Sequence, residues 1–366
     1  MLGSTFNHKL TLVQAFVPMK MIFSGFPSLR LICSFILLPL LVSAQSSLKT
    51  TDLATQRLQQ ELERMAKLAK GKVGVCALHL ESGREIRMNA KDRFPMASTM
   101  KVAVAVELLR KIETGELSYL TMTELQPSDL HPGSGTLETL FAKPGVQLSL
   151  QNLMELMMVI SDNSATDILI RLAGGTRTVQ NRLKALGIEG MSVDRNIIQL
   201  IADWEGVTLP DTSQWKNPGF YTRLEDQLTP EIRKTAQATF DKDPRDTSTP
   251  EAMVQLLTQI YQARAVSVAS RDTLLAIMER CRGGQGRLKG YLPPETVVAH
   301  KTGTMGASAT DDVGIITLPG DAGHIAIAVF VGASQAPSEL REQTIAQISR
   351  SVYDYFLYQP SVPKSN

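Results

Sequence analysis

Several features that mark particular protein classes are scarce or missing in this chain of 366 residues. The formal net charge is only +2, which gives no electrostatic case for a nucleic-acid partner. The histidines show no metal-ligand spacing, and neither H-E-x-x-H nor C-x-x-C occurs. We therefore expect no metal and no cofactor. What remains is a globular composition, 43% hydrophobic and 20% charged, whose length allows two domains or one large one.

Cysteine is equally scarce, with three residues in the whole chain. Cys33 lies in an apolar segment near the N-terminus, which leaves Cys76 and Cys281 in the rest of the chain. Two cysteines so far apart in sequence leave two alternatives open, a disulfide bridge or two buried free thiols.

The apolar run near the N-terminus, residues 31–42, is too short for a comfortable transmembrane helix. Arg30 precedes the run, and the small residues Val42-Ser43-Ala44 follow it. This is the pattern of a secretory signal, with an uncleaved anchor as the alternative. We predict that residues 1–44 are removed, that the mature protein begins at Gln45, and that it is periplasmic or secreted without a stable membrane span.

The rest of the chain has β-rich ends and a helical middle. The patterns predict an α/β domain made of residues 45–97 and 247–366, with a helical domain, residues 98–246, inserted between them. Within the helical part, residues 191–246 have a weak pattern that prolines interrupt repeatedly.

The first candidate chemistry lies at the start of a helix predicted over residues 98–113. Ser98 and Lys101 are three positions apart, so they share one face of that helix. A serine hydroxyl needs a base to take its proton, and a lysine desolvated by an apolar helix can be neutral enough to serve. Alone, such a pair is common on helix surfaces.

Two further segments are informative when they are considered together with Ser98 and Lys101. Ser161-Asp162-Asn163 separates two apolar helices, where on its own it reads as a helix N-cap. Lys301-Thr302-Gly303-Thr304 ends a predicted strand, where glycine lets another backbone approach closely and the lysine suits a carboxylate-bearing ligand. S-x-x-K, S-D-N and K-T-G in this order form the set found in class A β-lactamases and penicillin-binding proteins.

The chain therefore resembles the class A β-lactamase family, from about residue 52 to residue 356. The resemblance implies an α/β (α+β) fold in which an antiparallel sheet is flanked by helices and carries an inserted all-α domain. It also implies a monomer that acts on a small-molecule β-lactam or a related acyl substrate. Arg195 and Asp246 match the pair that closes the family's Ω loop, although here they lie 51 positions apart, which makes the loop 191–246 unusually long.

The resemblance assigns roles residue by residue. Ser98 would be acylated, Lys101 would help to deprotonate it, and Ser161 would pass a proton to the leaving nitrogen. Asn163 would hold the substrate's side-chain amide and orient Lys101, while Asp162 would be a buried structural acid.

The K-T-G segment would bind the other end of the substrate. Lys301 and Thr302 would bind its carboxylate, with Gly303 and Thr304 continuing that binding edge. The backbone N–H groups of Ser98 and Thr304 would form the oxyanion hole.

One position departs from the family's pattern. The glutamate that activates the deacylating water would stand two residues after Arg195, but that residue is Ile197, and its usual asparagine partner position is Ile201. Three glutamates of the long loop are candidates for a relocated base: Glu205, Glu225 and Glu231. The alternative is that all three are solvated charges.

The sequence thus predicts a serine β-lactamase-like hydrolase that works through an acyl-enzyme on Ser98. Because Ile197 cannot activate water, two alternatives stay open. One is a DD-peptidase or esterase on the same scaffold, and the other is a covalent β-lactam binder that deacylates slowly.

Overall fold

The computed structural model describes residues 53–131, 133–141, 143, 145–216 and 219–359. The predicted signal segment 1–44 lies outside the described residues. No helix in the described part of the chain is long and apolar enough to cross a membrane.

In the described part of the chain, nine strands form one main sheet and two short pairs. Their bounds are β1 Lys72–His79, β2 Glu85–Met88, β3 Phe94–Pro95, β4 Met122–Glu124, β5 Gln147–Ser149, β6 Thr247–Ser248, β7 Val298–Met305, β8 Ala309–Thr317 and β9 His324–Gly332. The main sheet has the order β2-β1-β9-β8-β7, and every neighbouring pair in it is antiparallel. This confirms the antiparallel sheet built from both ends of the chain.

Among the described residues, twelve α-helices surround the sheet or form the helical part. Their bounds are α1 Leu53–Ala66, α2 Lys101–Glu113, α3 Leu137–Leu140, α4 Leu150–Val159, α5 Asn163–Ala173, α6 Thr176–Ala185, α7 Ile197–Glu205, α8 Phe220–Glu225, α9 Pro230–Phe240, α10 Pro250–Tyr261, α11 Val268–Glu279 and α12 Ser338–Tyr358. Caps fix several starts: Thr249 Oγ1 accepts a hydrogen bond from the Ala252 N–H at the start of α10.

Strand β9 shows why helices cover both faces of the sheet. Ile325, Ile327 and Val329 pack into the cluster made with α1 and α12. The residues between them, Ala326 and Ala328, pack into the larger cluster made with the helical part. Alternate residues of a strand point to opposite faces, so a strand that is apolar throughout needs cover on both sides.

Helix α2 is the buried axis of the helical part, and every residue from Lys101 to Leu109 is buried. The helix predicted from residue 98 begins later, because residues 97–100 form a tighter 3₁₀ turn. Cys76 and Cys281 are both buried free thiols, so the disulfide alternative is wrong. The predicted domain boundaries stay a prediction.

The segment 191–246 contains three helices, α7 to α9, although its sequence pattern is weak. The predicted pair joins its two ends, with Arg195 Nε 2.6 Å from Asp246 Oδ2. The other oxygen of Asp246 accepts hydrogen bonds from the backbone N–H groups of Asp194 and Arg195. Both side chains of the pair are buried, so the long loop is anchored where it leaves and re-enters the fold.

Candidate active site

Ser98 lies in the 3₁₀ turn 97–100 that precedes α2. The residue before it, Ala97, has a φ of 42°, in the left-handed region that costs a non-glycine residue about 1 kcal/mol or more. The backbone N–H of Met96 donates to Asp246 O, which ties this turn to the end of the long loop. Ser98 is half-buried and faces a cavity.

Lys101 is the first residue of α2, one turn after Ser98, and it is fully buried with its amine surrounded by oxygen atoms. Its Nζ is 2.7 Å from Ser161 O, 3.1 Å from Ser161 Oγ and 3.1 Å from Asn163 Oδ1. Burial, followed by the positive charge of Lys301, lowers the pKa of Lys101 well below its ordinary value. A neutral amine of this kind can accept a proton, which is what a serine nucleophile requires.

A second lysine, Lys301, contacts the same Ser161 hydroxyl group as Lys101. Lys301 Nζ lies 3.0 Å from Ser161 Oγ and 2.8 Å from Thr302 O. Burial lowers the pKa of Lys301 to about 8, so this amine is charged at neutral pH. Ser161 therefore sits between an amine whose pKa is lowered well below its ordinary value and an amine with a pKa of about 8, in a position to pass a proton either way.

The K-T-G strand end lies against the turn that carries Ser98. A Cβ atom added to Gly303 would lie 2.5 Å from Met96 O and 3.1 Å from Thr99 Cγ2, closer than packed atoms allow. The buried Arg287 supports the same strand from behind, since its guanidinium donates to Gly303 O and to Thr304 Oγ1. Glycine is thus required by contact, as the sequence predicted.

The Asp162 carboxylate binds backbone N–H groups and does not line the cavity. Its Oδ1 caps α5 by accepting from the Ala165 N–H, and its Oδ2 accepts from the N–H groups of Thr136 and Leu137. Three backbone donors on one buried carboxylate make it a structural group that fixes the loop facing the site.

The cavity in front of Ser98 has a volume of about 190 Å³. Helix α7 forms one wall, with its side chains at helical spacing along the cavity. The lining residues are Ala97, Ser98, Gly133, Ser134, Asn163, Ile197, Leu200, Ile201, Trp204, Glu205, Thr304, Met305 and Gly306. Ser98 thus lies in the wall of a pocket whose lining is partly apolar and partly polar.

Comparison with known proteins agrees with this geometry. Residues 57–356 match the model of the β-lactamase enzyme family. The chain belongs to that family. β-Lactamase VEB-1 of Pseudomonas aeruginosa is 32% identical over 310 residues, which cover 83% of this chain and 91% of VEB-1.

Solved β-lactamase structures share the fold. A β-lactamase from Chitinophaga pinensis matches with a TM-score of 0.67 at 32% identity, covering 81% of this chain and 98% of that one. An ancestral class A β-lactamase matches with a TM-score of 0.67 at 27% identity, covering 81% and 99%. The class A resemblance and the predicted fold are confirmed.

Residues of all three motifs are joined here by direct contacts, since Lys101 and Lys301 both reach Ser161. Asn163 and Thr304 line the same cavity as Ser98. Thr302 is buried beneath this edge and does not line the cavity. The roles of these residues stay predictions.

The positions at which the family holds its deacylating water carry apolar side chains, and these side chains line the cavity. Ile197 and Ile201 both lie on the wall that α7 contributes to the cavity. Of the three candidate glutamates, Glu205 lines the cavity, while Glu225 lies 3.7 Å from Arg233 and does not. Glu231 is exposed at the start of α9.

Sequence reasoning missed the residue that orients α7. Both carboxylate oxygens of Asp167 accept hydrogen bonds at the start of this helix, one from the Ile197 N–H and one from the Ile198 N–H. Asp167 also pairs with His131 at 3.2 Å. The signal was available: Asp167 lies four residues after Asn163 on α5, so both share the face turned toward the site.

Proposed function

We propose that this protein is a class A serine β-lactamase that opens β-lactam rings through an acyl-enzyme on Ser98. Membership of the β-lactamase family supports the reaction, and one observation supports the assignment of its residues. Lys101 and Lys301 meet at Ser161 Oγ, at 3.1 Å and 3.0 Å, and the strand that carries Lys301 packs against the turn that carries Ser98.

The acylation step follows from these contacts. Ser98 Oγ attacks the ring carbonyl carbon while its proton passes to the neutral amine of Lys101. Ser161 then gives a proton to the ring nitrogen as the carbon–nitrogen bond breaks, and it is resupplied from Lys101. The charged Lys301 attracts the substrate carboxylate, and no metal ion is needed for any of these transfers.

The remaining parts of the proposal concern the protein's surroundings. We propose export to the periplasm or the exterior after removal of residues 1–44, and a monomer as the working form. The support is the sequence pattern of that segment together with the family. We also propose that residues 45–97 and 247–366 form one domain around the inserted residues 98–246.

The decisive test is covalent labelling with a fluorescent penicillin. The wild type should be labelled, and Ser98→Ala should not be. Lys101→Ala should slow labelling about 100- to 10,000-fold, because it removes the base. Lys111→Ala is the matched control, since this lysine of α2 pairs with Glu116 at the surface and should leave labelling unchanged.

Labelling that survives in Ser98→Ala would refute the assignment of the nucleophile. A wild type that cleaves a D-alanyl-D-alanine peptide but releases no hydrolysed penicillin would instead identify a DD-peptidase.

A further inference from the structure

An acyl-enzyme is useful to a β-lactamase only if water removes the acyl group, and the expected position offers no base for that water. Ile197 and Ile201 carry no group that can accept a proton. Among the described residues that line the cavity, one side chain has a carboxylate, and it is Glu205. We propose, on the basis of the function proposed above, that Glu205 is the general base of deacylation.

The geometry of α7 directs Glu205 to the cavity. Ile197, Ile201, Trp204 and Glu205 occupy the face of α7 that lines the pocket, and Glu205 lies eight positions after Ile197. Positions 197, 201 and 205 are separated by four residues each, so they lie one above another on the helix. The carboxylate thus occupies the same wall as the two isoleucines, two turns further along.

The far end of α7 is held in place against the opposite side of the cavity. Trp204 Nε1 donates to Ser308 Oγ at 3.2 Å. The Trp204 ring also lies so close to Gly306 that a Cβ atom there would be 2.5 Å from Cζ2. Because Trp204 bridges α7 to the turn after β7, Glu205 is kept beside the strand end that faces Ser98.

The carboxylate itself is oriented rather than solvated. Its side chain is 13% exposed, and Tyr221 Oη donates to Glu205 Oε2 at 2.8 Å. Arg233 Nη1 lies 3.8 Å from Oε1, beyond hydrogen-bond distance, and the Glu225 carboxylate also lies against the Glu205 side chain. Burial, with a further contribution from the nearby Glu225, raises the pKa of Glu205 above its ordinary value, which makes the carboxylate a stronger base.

The proposed step is balanced within the site. A water molecule adds its oxygen to the acyl carbon of the Ser98 ester and gives one proton to Glu205. The bond between the acyl carbon and Ser98 Oγ then breaks, and the serine oxygen takes that proton back. The products are the opened β-lactam acid, free Ser98 and an ionised Glu205.

Stopped-flow kinetics with benzylpenicillin, followed by mass spectrometry of the full chain, test this proposal. Glu205→Gln should acylate at the wild-type rate, which also reports a folded site, and then lose its acyl group about 100- to 10,000-fold more slowly. Product release should become a burst of one molecule per enzyme. Glu231→Gln is the matched control, because Glu231 is exposed at the start of α9 and does not line the cavity, and it should turn over like the wild type.

The pH dependence of the deacylation rate is a second test, in which the Glu205 carboxylate is kept. Wild-type deacylation should slow as the pH falls through the raised pKa of Glu205, because the protonated acid cannot accept a proton. Tyr221→Phe removes a hydrogen bond that lowers this pKa. The acid limb of deacylation should therefore move to higher pH in Tyr221→Phe.

Several results would overturn the proposal. One is a Glu205→Gln variant that deacylates at the wild-type rate, whether that rate is fast or slow. Another is equal accumulation of acyl-enzyme in Glu231→Gln. By contrast, a wild type that never forms an acyl-enzyme contradicts the proposed function itself, so the two failures are distinguishable.

Discussion

The pKa values of two lysines in the same site are lowered to different extents. Burial, followed by the positive charge of Lys301, lowers the pKa of Lys101 well below its ordinary value. Burial also lowers the pKa of Lys301, to about 8. Two cations beside one hydroxyl would repel each other, so the division into a neutral base and a charged binding group is the favourable one.

The pKa of Lys301 leads to a prediction about substrate binding. As the pH rises through about 8, Lys301 loses its proton and with it the attraction for the substrate carboxylate. The kcat/KM for a penicillin should therefore fall on the alkaline side, mainly through KM. Lys301→Arg keeps its charge at high pH and should lose this alkaline fall. A flat wild-type profile up to about pH 10 would contradict the assignment.

At the scale of single residues, the sequence could identify the groups that carry chemistry but not their states. The S-x-x-K and K-T-G spacings located both lysines. Which of the two lysines is neutral depends on how deeply each amine is buried and on how close the two amines lie in space. Because the two residues are 200 positions apart in the sequence, no local pattern shows this. For the same reason the sequence proposed three glutamates, and only the packing of α7 separates Glu205 from the other two.

Among the elements, the contact between β7 and the 3₁₀ turn 97–100 sets the position of the nucleophile. Gly303→Ala would insert a methyl group 2.5 Å from Met96 O, so the strand and the turn must move apart. A shift of about 1 Å at a catalytic group can cost about 100-fold in rate, and we expect acylation to slow by roughly that factor. The measurement is the rate of penicillin labelling.

The control for that prediction is another glycine with an ordinary φ. In Gly286→Ala the new Cβ would lie 3.2 Å from Glu342 Oε2, the far end of a flexible side chain that can move. This variant should label at the wild-type rate. If Gly303→Ala also labels normally while remaining folded, the close approach is not needed for acylation.

Helix α7 shows where sequence patterns fall short at this scale. Its apolar residues Ile197, Leu200, Ile201 and Trp204 have helical spacing, so the helix itself could have been predicted. Such a stripe normally faces a core, whereas this one lines the cavity beside Ser98. The orientation of α7 toward the cavity is set by Asp167, which binds its N-terminus, and by Trp204, which anchors its other end.

In the molecule as a whole, the fold was the easiest part to predict. Strands that are apolar on both faces, helices with a single apolar face and clear caps all specify the same layered arrangement. The segment 191–246 was the hardest, because its prolines interrupt the pattern and its anchoring depends on Arg195 and Asp246, 51 positions apart. That pair was predicted from the resemblance, and the structure contains it.

The same pair supports the last prediction, which concerns how the long loop is held. Asp246 accepts two backbone hydrogen bonds besides the one from Arg195, and it is buried. Removing one member of a buried pair costs about 3–5 kcal/mol when the other charge is left unpaired. Here Asp203 and Asp243 still contact Arg195, at 2.6 Å and 3.3 Å, so the cost is that of the lost hydrogen bonds, about 1–3 kcal/mol. Asp246→Ala should therefore lose stability of that order and speed hydrogen exchange across residues 196–245.

Asp246→Asn separates charge from hydrogen bonding in this clamp. Asn tolerates the positive φ of 51° at this position and keeps one carbonyl oxygen for the backbone N–H groups of Asp194 and Arg195. Exchange in Asp246→Asn should therefore lie between that of the wild type and that of Asp246→Ala. The strands of the main sheet serve as an internal reference, since their exchange should change less than that of the loop. If the loop in Asp246→Ala exchanges as slowly as in the wild type, its own helices hold it and the clamp is not needed.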